Sequence, residues 1–146
     1  MLFGKRERLI RRILIVEDEP LVAFDNEHTL RDAGYEVVAT VDSYEAAAQV
    51  IEDELLDLVI TDIGLSGEGD GADVARAAQA KGVRTLFVTA KALDGEKPLA
   101  LGCLAKPYSA GRLEDALAAL DRHLQGKTPK RLPRGLELYE ASIRST

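Results

Sequence analysis

The fold is decided by residues 13–20, which read ILIVEDEP. Four apolar residues, three of them β-branched, run directly into three acidic residues and a proline. A continuous apolar run of this length is typical of a strand that is buried on both faces of a parallel sheet. Proline suits the first turn of a helix. The stretch therefore predicts a buried strand whose carboxyl end carries acidic side chains and leads into a helix.

The same alternation of short apolar runs and longer helical segments continues along the chain. The predicted strands cover residues 13–16, 37–40, 58–61, 83–88 and 103–105, and the predicted helices cover residues 20–33, 43–54, 72–81 and 110–124. Strands that alternate with helices form a parallel sheet with helices on both faces, and their crossovers are right-handed. The sequence thus predicts an α/β fold with a doubly wound, five-stranded parallel sheet of flavodoxin-like order 2-1-3-4-5.

Polar residues follow four of these strands. Glu17 and Asp18 follow the first strand, Asp62 the third, Thr89 the fourth and Lys106 the fifth. Ligands of open α/β sheets bind outside the carboxyl ends of the strands, where the strand order reverses. Carboxylates that gather there repel one another unless they take up a divalent cation, and oxygen ligands with room for water favour Mg²⁺. A metal, an ammonium group and a hydroxyl around a nucleophilic carboxylate are suited to phosphoryl transfer.

In these residues the chain resembles the receiver domain of two-component response regulators, over about residues 12–125. The resemblance rests on five short motifs that occur in the order the family has them: residues 13–20 (ILIVEDEP), 57–62 (DLVITD), 70–71 (DG), 88–90 (VTA) and 105–107 (AKP). Each motif is weak by itself, and the five together at strand ends are specific.

The resemblance implies a role for each residue of the predicted site. It implies that Asp62 accepts a phosphoryl group from the phosphohistidine of a histidine kinase or of a histidine phosphotransfer protein. It also implies that Mg²⁺ is held by Glu17, Asp18, Asp62 and the main-chain carbonyl of Gly64. Thr89 and Lys106 would bind the phosphoryl oxygens. Pro107 would follow a cis peptide bond, as only X-Pro bonds commonly do.

Two features depart from the family pattern on the side of the fifth strand. Lys106 follows Thr89 by only 17 positions. The family's helix between the fourth and fifth strands must therefore fit within residues 92–101, around Pro98, and is expected to be short. The position three before Lys106 is Cys103, where relatives often have an aromatic residue that takes part in switching. We therefore expect an altered switch position and an altered signalling face.

Composition and chain organisation narrow the class of protein further. The net charge of −6 argues against a nucleic-acid or anionic-membrane partner, although basic residues cluster near both ends. The single cysteine excludes a disulfide framework, and the chain contains no apolar run long enough for a membrane span, so a cytoplasmic location is expected.

We predict a basic N-terminal extension at 1–11, a receiver domain at 12–125, and a basic linker with a short apolar tail at 126–146. The tail has three candidate docking places: this protein, a second copy or a partner. The oligomeric state stays open.

These observations predict a stand-alone, single-domain response regulator. It would not be an enzyme in the usual sense, but a phosphoprotein that assists its own phosphorylation and dephosphorylation. It would signal by contact with a downstream protein or act as a phosphate sink. The alternative is an interaction module with the receiver fold that works without phosphorylation. A Mg²⁺-dependent phosphatase or phosphotransferase of small molecules is the third and weakest hypothesis.

Overall fold

Six strands and four α-helices make up the part of the chain that the computed structural model describes, namely residues 8–65, 67–91, 93, 95–127 and 132–139. The strands are β1 (Arg12–Val16), β2 (Glu36–Val41), β3 (Leu58–Asp62), β4 (Arg84–Thr89), β5 (Gly102–Ala105) and β6 (Leu136–Leu138). The helices are α1 (Pro20–Asp32), α2 (Tyr44–Asp53), α3 (Gly71–Ala80) and α4 (Ala110–Leu124).

The strands form one sheet of order β2-β1-β3-β4-β5-β6. The first five strands are parallel, which confirms the predicted order 2-1-3-4-5. The expectation of a five-stranded sheet is wrong by one strand, because β6 adds to the edge of β5 in the antiparallel direction. β6 has only three residues, too few for a hydrophobic period to distinguish it from a loop.

Two layers of helices cover the sheet. On one face, α1 and α4 pack over alternate strand residues such as Ile13, Ile15 and Leu104. On the other face, α2 and α3 pack over the intervening residues, which include Leu14 and Val59. All five of these strand side chains are fully buried. Burial of each such side chain contributes roughly 1.5–3 kcal/mol, so both faces of the central strands hold the layers together.

Side-chain caps fix where the helices begin. The hydroxyl of Ser43 accepts from the main-chain N–H of Ala46, as the sequence predicts for that helix. Asp70 caps α3 in a reciprocal arrangement with Asp73, in which each carboxylate accepts from the other residue's main-chain N–H. These caps place the start of α3 directly after the loop that follows β3.

The helix expected between β4 and β5 is reduced to a single 3₁₀ turn at Lys97–Leu99, with Pro98 inside it. This outcome confirms the expectation of a shortened helix. Proline has no N–H to donate and is tolerated only in the first turn, so little helix can form around Pro98.

The described parts of both predicted end regions, residues 8–11 and the segment that contains β6, contact the domain. Ile10 is buried, and the main-chain N–H groups of Leu9 and Ile10 donate to the buried carboxylate of Asp121 at 2.9 and 3.2 Å. Residues 8–11 of the predicted N-terminal extension thus pack on the domain, while residues 1–7 lie outside the described residues. In the predicted tail, residues 128–131 and 140–146 lie outside them as well. None of the helices described here is long and apolar enough to cross a membrane.

Candidate functional site

The predicted site residues meet at one edge of the sheet, at the carboxyl ends of the parallel strands. Glu17 and Asp18 directly follow β1, Asp62 ends β3, Thr89 ends β4, and Lys106 directly follows β5. Carboxylate oxygens of Glu17, Asp18 and Asp62 lie within 4.8 Å of one another. The parallel register brings these residues together because each strand ends at the same level of the sheet.

Lys106 lies at the centre of the acidic cluster. Its amine donates to Asp62 Oδ2 at 2.7 Å and to Glu17 Oε1 at 2.8 Å, and its side chain is 13% exposed. Burial lowers the pKa of Lys106, but the hydrogen bonds and charges of Asp62 and Glu17 outweigh that effect and hold its pKa well above its ordinary value. The amine therefore stays protonated at physiological pH and offsets part of the repulsion between the carboxylates.

Glu17 is the most deeply buried acid of the cluster, with 2% of its surface exposed. Its Oε2 accepts from the main-chain N–H of Glu19 at 3.1 Å, so both of its oxygens have partners. Glu19 itself reaches the Lys106 amine at 3.4 Å from the solvent side. Glu19 is the third acid of the run that follows β1, and the sequence counts it among the charges expected at this end of the sheet.

Asp62 is accessible from solvent on one side, since its side chain is 15% exposed. Its Oδ1 accepts from the main-chain N–H of Gly64 at 3.2 Å. Behind Asp62 the chain turns back so closely that a Cβ at Gly71 would overlap the carbonyl oxygen of Asp62. The main-chain N–H of Gly71 also donates to the carbonyl of Ile63 at 2.8 Å, so the loop closes tightly beneath the Asp62 carboxylate.

Thr89 lies on the side of the site towards β5. Only 4% of Thr89 is exposed, and its hydroxyl accepts from the main-chain N–H of Lys91 at 3.1 Å. The main-chain N–H of Lys106 donates to the carbonyl of Thr89 at 2.9 Å, which ties the two strand ends together. The peptide bond between Lys106 and Pro107 is cis. The hydroxyl and the amine thus lie at the ends of two neighbouring, hydrogen-bonded strands.

Two contacts beside the site were not predicted from the sequence. The Nδ2 of Asn26, a buried residue of α1, donates to the hydroxyl of Tyr108 at 2.9 Å and so ties the turn after Lys106 to α1. Cys103 is 8% exposed and lies opposite Glu137 of β6, and burial together with the charge of Glu137 raises the pKa of its thiol to about 11. The aromatic ring of Tyr139 packs against the cluster that contains Cys103.

The acidic cluster fits a divalent metal ion. Its ligand atoms are carboxylate oxygens, which hard cations such as Mg²⁺ prefer. The carboxylates of Glu17, Asp18 and Asp62 converge. Of these three, Glu17 and Asp62 each have an oxygen within hydrogen-bonding distance of the Lys106 amine. The arrangement of acids, amine and hydroxyl at the strand ends is the one that the receiver-domain resemblance implies.

The comparison with known proteins decides the family. A family model described as the response regulator receiver domain matches residues 13–118. The chain belongs to this family. Receiver domains are phosphoacceptors of two-component systems and are not classical enzymes, and they bind Mg²⁺ at an acidic cluster.

Curated relatives and solved structures agree with the assignment to the receiver-domain family. The chain is 32% identical over 116 residues to the transcriptional regulatory protein PdtaR of Mycobacterium tuberculosis, a match that covers 73% of this chain and 55% of PdtaR. It is 29% identical to the phyllosphere-induced regulator PhyR of Methylorubrum extorquens, with 73% of this chain and 42% of PhyR covered. The solution structure of SdrG from Sphingomonas melonis Fr1 matches with 34% identity and a TM-score of 0.65, covering 77% of this chain and 97% of SdrG. The chain thus spans about half the length of PdtaR and less of PhyR.

Proposed function

We propose that this receiver domain accepts a phosphoryl group on Asp62 from the phosphohistidine of a histidine kinase or of a histidine phosphotransfer protein. The observation that carries the proposal is the setting of the Asp62 carboxylate. It is partly exposed, lies 2.7 Å from the Lys106 amine, and is grouped with two further carboxylates. A carboxylate that is open to solvent and held beside a fixed cation is suited to attack phosphorus and to have the incoming charge neutralised.

The residues around Asp62 have distinct parts in the proposed transfer. An oxygen of Asp62 forms the bond to phosphorus while the bond to the histidine nitrogen breaks, and the imidazole leaves with the electron pair. Lys106 keeps its proton, because its pKa is raised, and pairs with a phosphoryl oxygen. The hydroxyl of Thr89, whose oxygen accepts from the Lys91 N–H, donates its own proton to another phosphoryl oxygen.

We assign the Mg²⁺ of the family to Glu17, Asp18, Asp62 and the main-chain carbonyl of Gly64. When bound, Mg²⁺ neutralises charge on the phosphoryl oxygens. Glu17 and Asp62 share their oxygens with the Lys106 amine, so Lys106 must give up part of these contacts for them to bind the ion. The same set of residues would support removal of the phosphoryl group, so the domain would assist both its phosphorylation and its dephosphorylation.

A surface for the phosphodonor protein adjoins the site on α1. Leu21 and Phe24 are 79% and 69% exposed. The ring of Phe24 stacks on that of His28, with 6.3 Å between the two ring centres. Beside them lies a groove of about 560 Å³ between α1 and the turn after β5, lined among others by Asn26 and Lys106. Exposed apolar side chains next to a polar reaction site are suited to a protein donor that buries them.

We propose that the phosphorylated domain acts by protein contact with a downstream target or as a phosphate sink. The names of PdtaR and PhyR describe regulators, and this chain resembles parts of each. We propose that the receiver domain occupies residues 12–125, a range that contains the residues 13–118 matched by the family model.

Incubation with Mg²⁺ and acetyl phosphate, followed by intact mass measurement, tests the proposal. We expect the mass of one phosphoryl group to be added to the wild-type chain and not to Asp62→Asn. Asp32→Asn is the matched control, because Asp32 is an exposed acid at the far end of α1, and it should take up the group as the wild type does. A mass gain that survives Asp62→Asn would contradict the proposal.

The second candidate function is an interaction module that works without phosphorylation. The observation that favours it is that a 3₁₀ turn stands where the family has a helix between β4 and β5, with Tyr139 packed against the cluster that contains Cys103. Cells that carry Asp62→Asn in place of the wild type distinguish the two functions. An unchanged phenotype supports the interaction module, and loss of signalling supports the phosphoacceptor.

A further inference from the structure

The strand β6 closes the outer edge of β5 over its whole length. The main-chain N–H of Ala105 donates to the carbonyl of Gly135, and the N–H of Tyr139 donates to the carbonyl of Leu101, each at 2.9 Å. Between these two bonds Cys103 lies directly opposite Glu137. An edge strand without a partner presents unpaired main-chain groups to other chains, so β6 occupies groups that would otherwise be free to pair.

Position 102 is adapted to this contact. A Cβ on Gly102 would overlap the carbonyl oxygen of Glu137, so β6 in this position requires glycine there. Leu136 is 6% exposed and belongs to the main core cluster, which holds the first half of β6 on the domain. The contact is thus built into both strands and is not a chance approach of the C-terminal segment.

Tyr139 anchors the other end of β6 on the altered switch position. Tyr139 packs against the cluster that contains Phe87 and Cys103, as does Leu99 of the 3₁₀ turn. The amine of Lys97 lies 5.9 Å from the centre of the Tyr139 ring, and the Tyr139 hydroxyl donates to Glu137. Cys103 is 8% exposed and belongs to the cluster against which Tyr139 packs, so movement of Tyr139 away from β5 would expose more of its side chain.

The contact is connected to the Asp62 site through the end of β5. Ala105 donates to Gly135 of the C-terminal segment, and the next residue is Lys106, which contacts Asp62 and whose N–H holds Thr89. In the sheet, β3 with Asp62 lies on one side of β4 and β5, and β6 lies on the other. A phosphoryl group on Asp62 takes the place beside the Lys106 amine that an Asp62 oxygen now holds, and it attracts the Thr89 hydroxyl, so it shifts the end of β5 where Ala105 and Lys106 lie.

We propose that β6 is a releasable strand, docked on β5 while Asp62 is unmodified and detached when Asp62 is phosphorylated. The inference rests on the proposed function, since it needs the phosphoryl group on Asp62. Release uncovers the carbonyl of Leu101 and the N–H of Ala105, which are the groups that an extended protein segment pairs with. It also uncovers the side chain of Cys103.

The rate at which a thiol reagent labels Cys103 tests the proposal, because Cys103 is the single cysteine of the chain. The full chain is treated with Mg²⁺ and acetyl phosphate, the modified fraction is read from the intact mass, and labelling by Ellman's reagent is followed in the same sample. We expect phosphorylation to raise the labelling rate by roughly fivefold or more, the usual scale of coupling between two sites. Asp62→Asn should label at the unmodified rate with and without acetyl phosphate.

Two variants show whether labelling reports β6. Tyr139→Ala removes the ring over Cys103, and Gly102→Val places side-chain atoms where the Glu137 carbonyl lies. Both should label quickly without phosphorylation and gain little from it, and circular dichroism checks that each is folded. A wild-type chain that takes up the phosphoryl group on Asp62 but labels at an unchanged or lower rate overturns the inference and leaves the proposed function intact. Absence of any mass gain removes the proposed function, and the inference with it.

Discussion

The amine of Lys106 lies between Glu17 and Asp62, 2.8 Å from Oε1 of the first and 2.7 Å from Oδ2 of the second. The Lys106 amine thus contacts both Glu17, which we propose as a metal ligand, and Asp62, which we propose as the phosphoryl acceptor. Both acids are largely withdrawn from water, with 1% and 15% of their side chains exposed. In the absence of a metal ion, the amine stabilises the acidic cluster. When a metal ion binds, the amine and the ion share the carboxylates of Glu17 and Asp62.

Lys106→Met should therefore be destabilised in the absence of metal, since removing one partner of a buried ion pair costs up to about 3–5 kcal/mol. We expect roughly half of that here, because the cluster keeps some contact with water. Added Mg²⁺ should raise the free energy of unfolding more in the variant than in the wild type. Urea denaturation with and without Mg²⁺ measures both effects.

Lys91→Met is the matched control for Lys106→Met. Lys91 is an exposed lysine near the site, two residues after Thr89. It should change stability by less than about 0.5 kcal/mol, as is usual for surface substitutions. Equal gains from Mg²⁺ in Lys106→Met and in the wild type would show that the amine and the metal do not share Glu17 and Asp62.

Gly71→Ala should distort the Asp62 site, because the added Cβ would overlap the carbonyl oxygen of Asp62. We expect a loss of stability of about 1–3 kcal/mol, typical of overpacking, and a slower uptake of the phosphoryl group. Thermal unfolding and the time course of mass gain measure the two effects.

Gly111→Ala provides the comparison, since a Cβ at Gly111 in α4 would meet nothing within 4 Å. It should stabilise the protein by up to about 1 kcal/mol, as alanine does relative to glycine in a helix, and leave phosphoryl uptake unchanged. If Gly71→Ala were equally harmless, the close turn beneath Asp62 would have no part in placing the carboxylate.

Thr89→Val tests whether the buried hydroxyl connects the phosphoryl group to β6. Valine keeps the shape of threonine but removes the oxygen that accepts from Lys91. We expect the variant to take up the phosphoryl group on Asp62 while the labelling rate of Cys103 stays at the unmodified value. Thr89→Ser, which retains the hydroxyl, should recover most of the response. A full response in Thr89→Val would assign the coupling to Lys106 alone.

The stability of the protein should fall as the pH rises from about 9 to 11, in part through Cys103. Burial and the charge of Glu137 raise the pKa of this thiol from 9.0 to about 11 in the folded chain. The unfolded chain therefore loses the proton first, and the stabilisation present below pH 9 is lost as the pH approaches 11. Urea denaturation across this range should show a shallower decline for Cys103→Ala than for the wild type. Parallel declines would show that the thiol titrates alike in both states.

The sequence predicts most of the fold because the apolar runs Ile13–Val16 of β1 and Leu58–Ile60 of β3 are continuous and rich in β-branched residues. Such runs distinguish buried strands from the amphipathic helices between them. The polar residues at the strand ends predict the site for the same reason, since parallel strands that end at one level bring their next residues together. Glu17, Asp62 and Lys106 meet as the resemblance to receiver domains implies.

Two features were beyond prediction because they depend on tertiary contacts. The three residues of β6 form a strand only against β5, where Gly102 leaves room for the Glu137 carbonyl. Leu136, Leu138 and Tyr139 mark the segment as apolar, but they do not indicate which surface covers them. The bond between Asn26 and Tyr108 joins residues 82 positions apart, and no local pattern relates them.

The most direct test of the account is chemical location of the phosphoryl group. The chain is treated with Mg²⁺ and acetyl phosphate and then with borohydride, which reduces an aspartyl phosphate to homoserine, and the peptides are sequenced by mass spectrometry. The account predicts homoserine at position 62 and an unreduced aspartate at every other position. Homoserine at another aspartate, or a phosphoryl group on His28 or His123 with Asp62 unmodified, would contradict it.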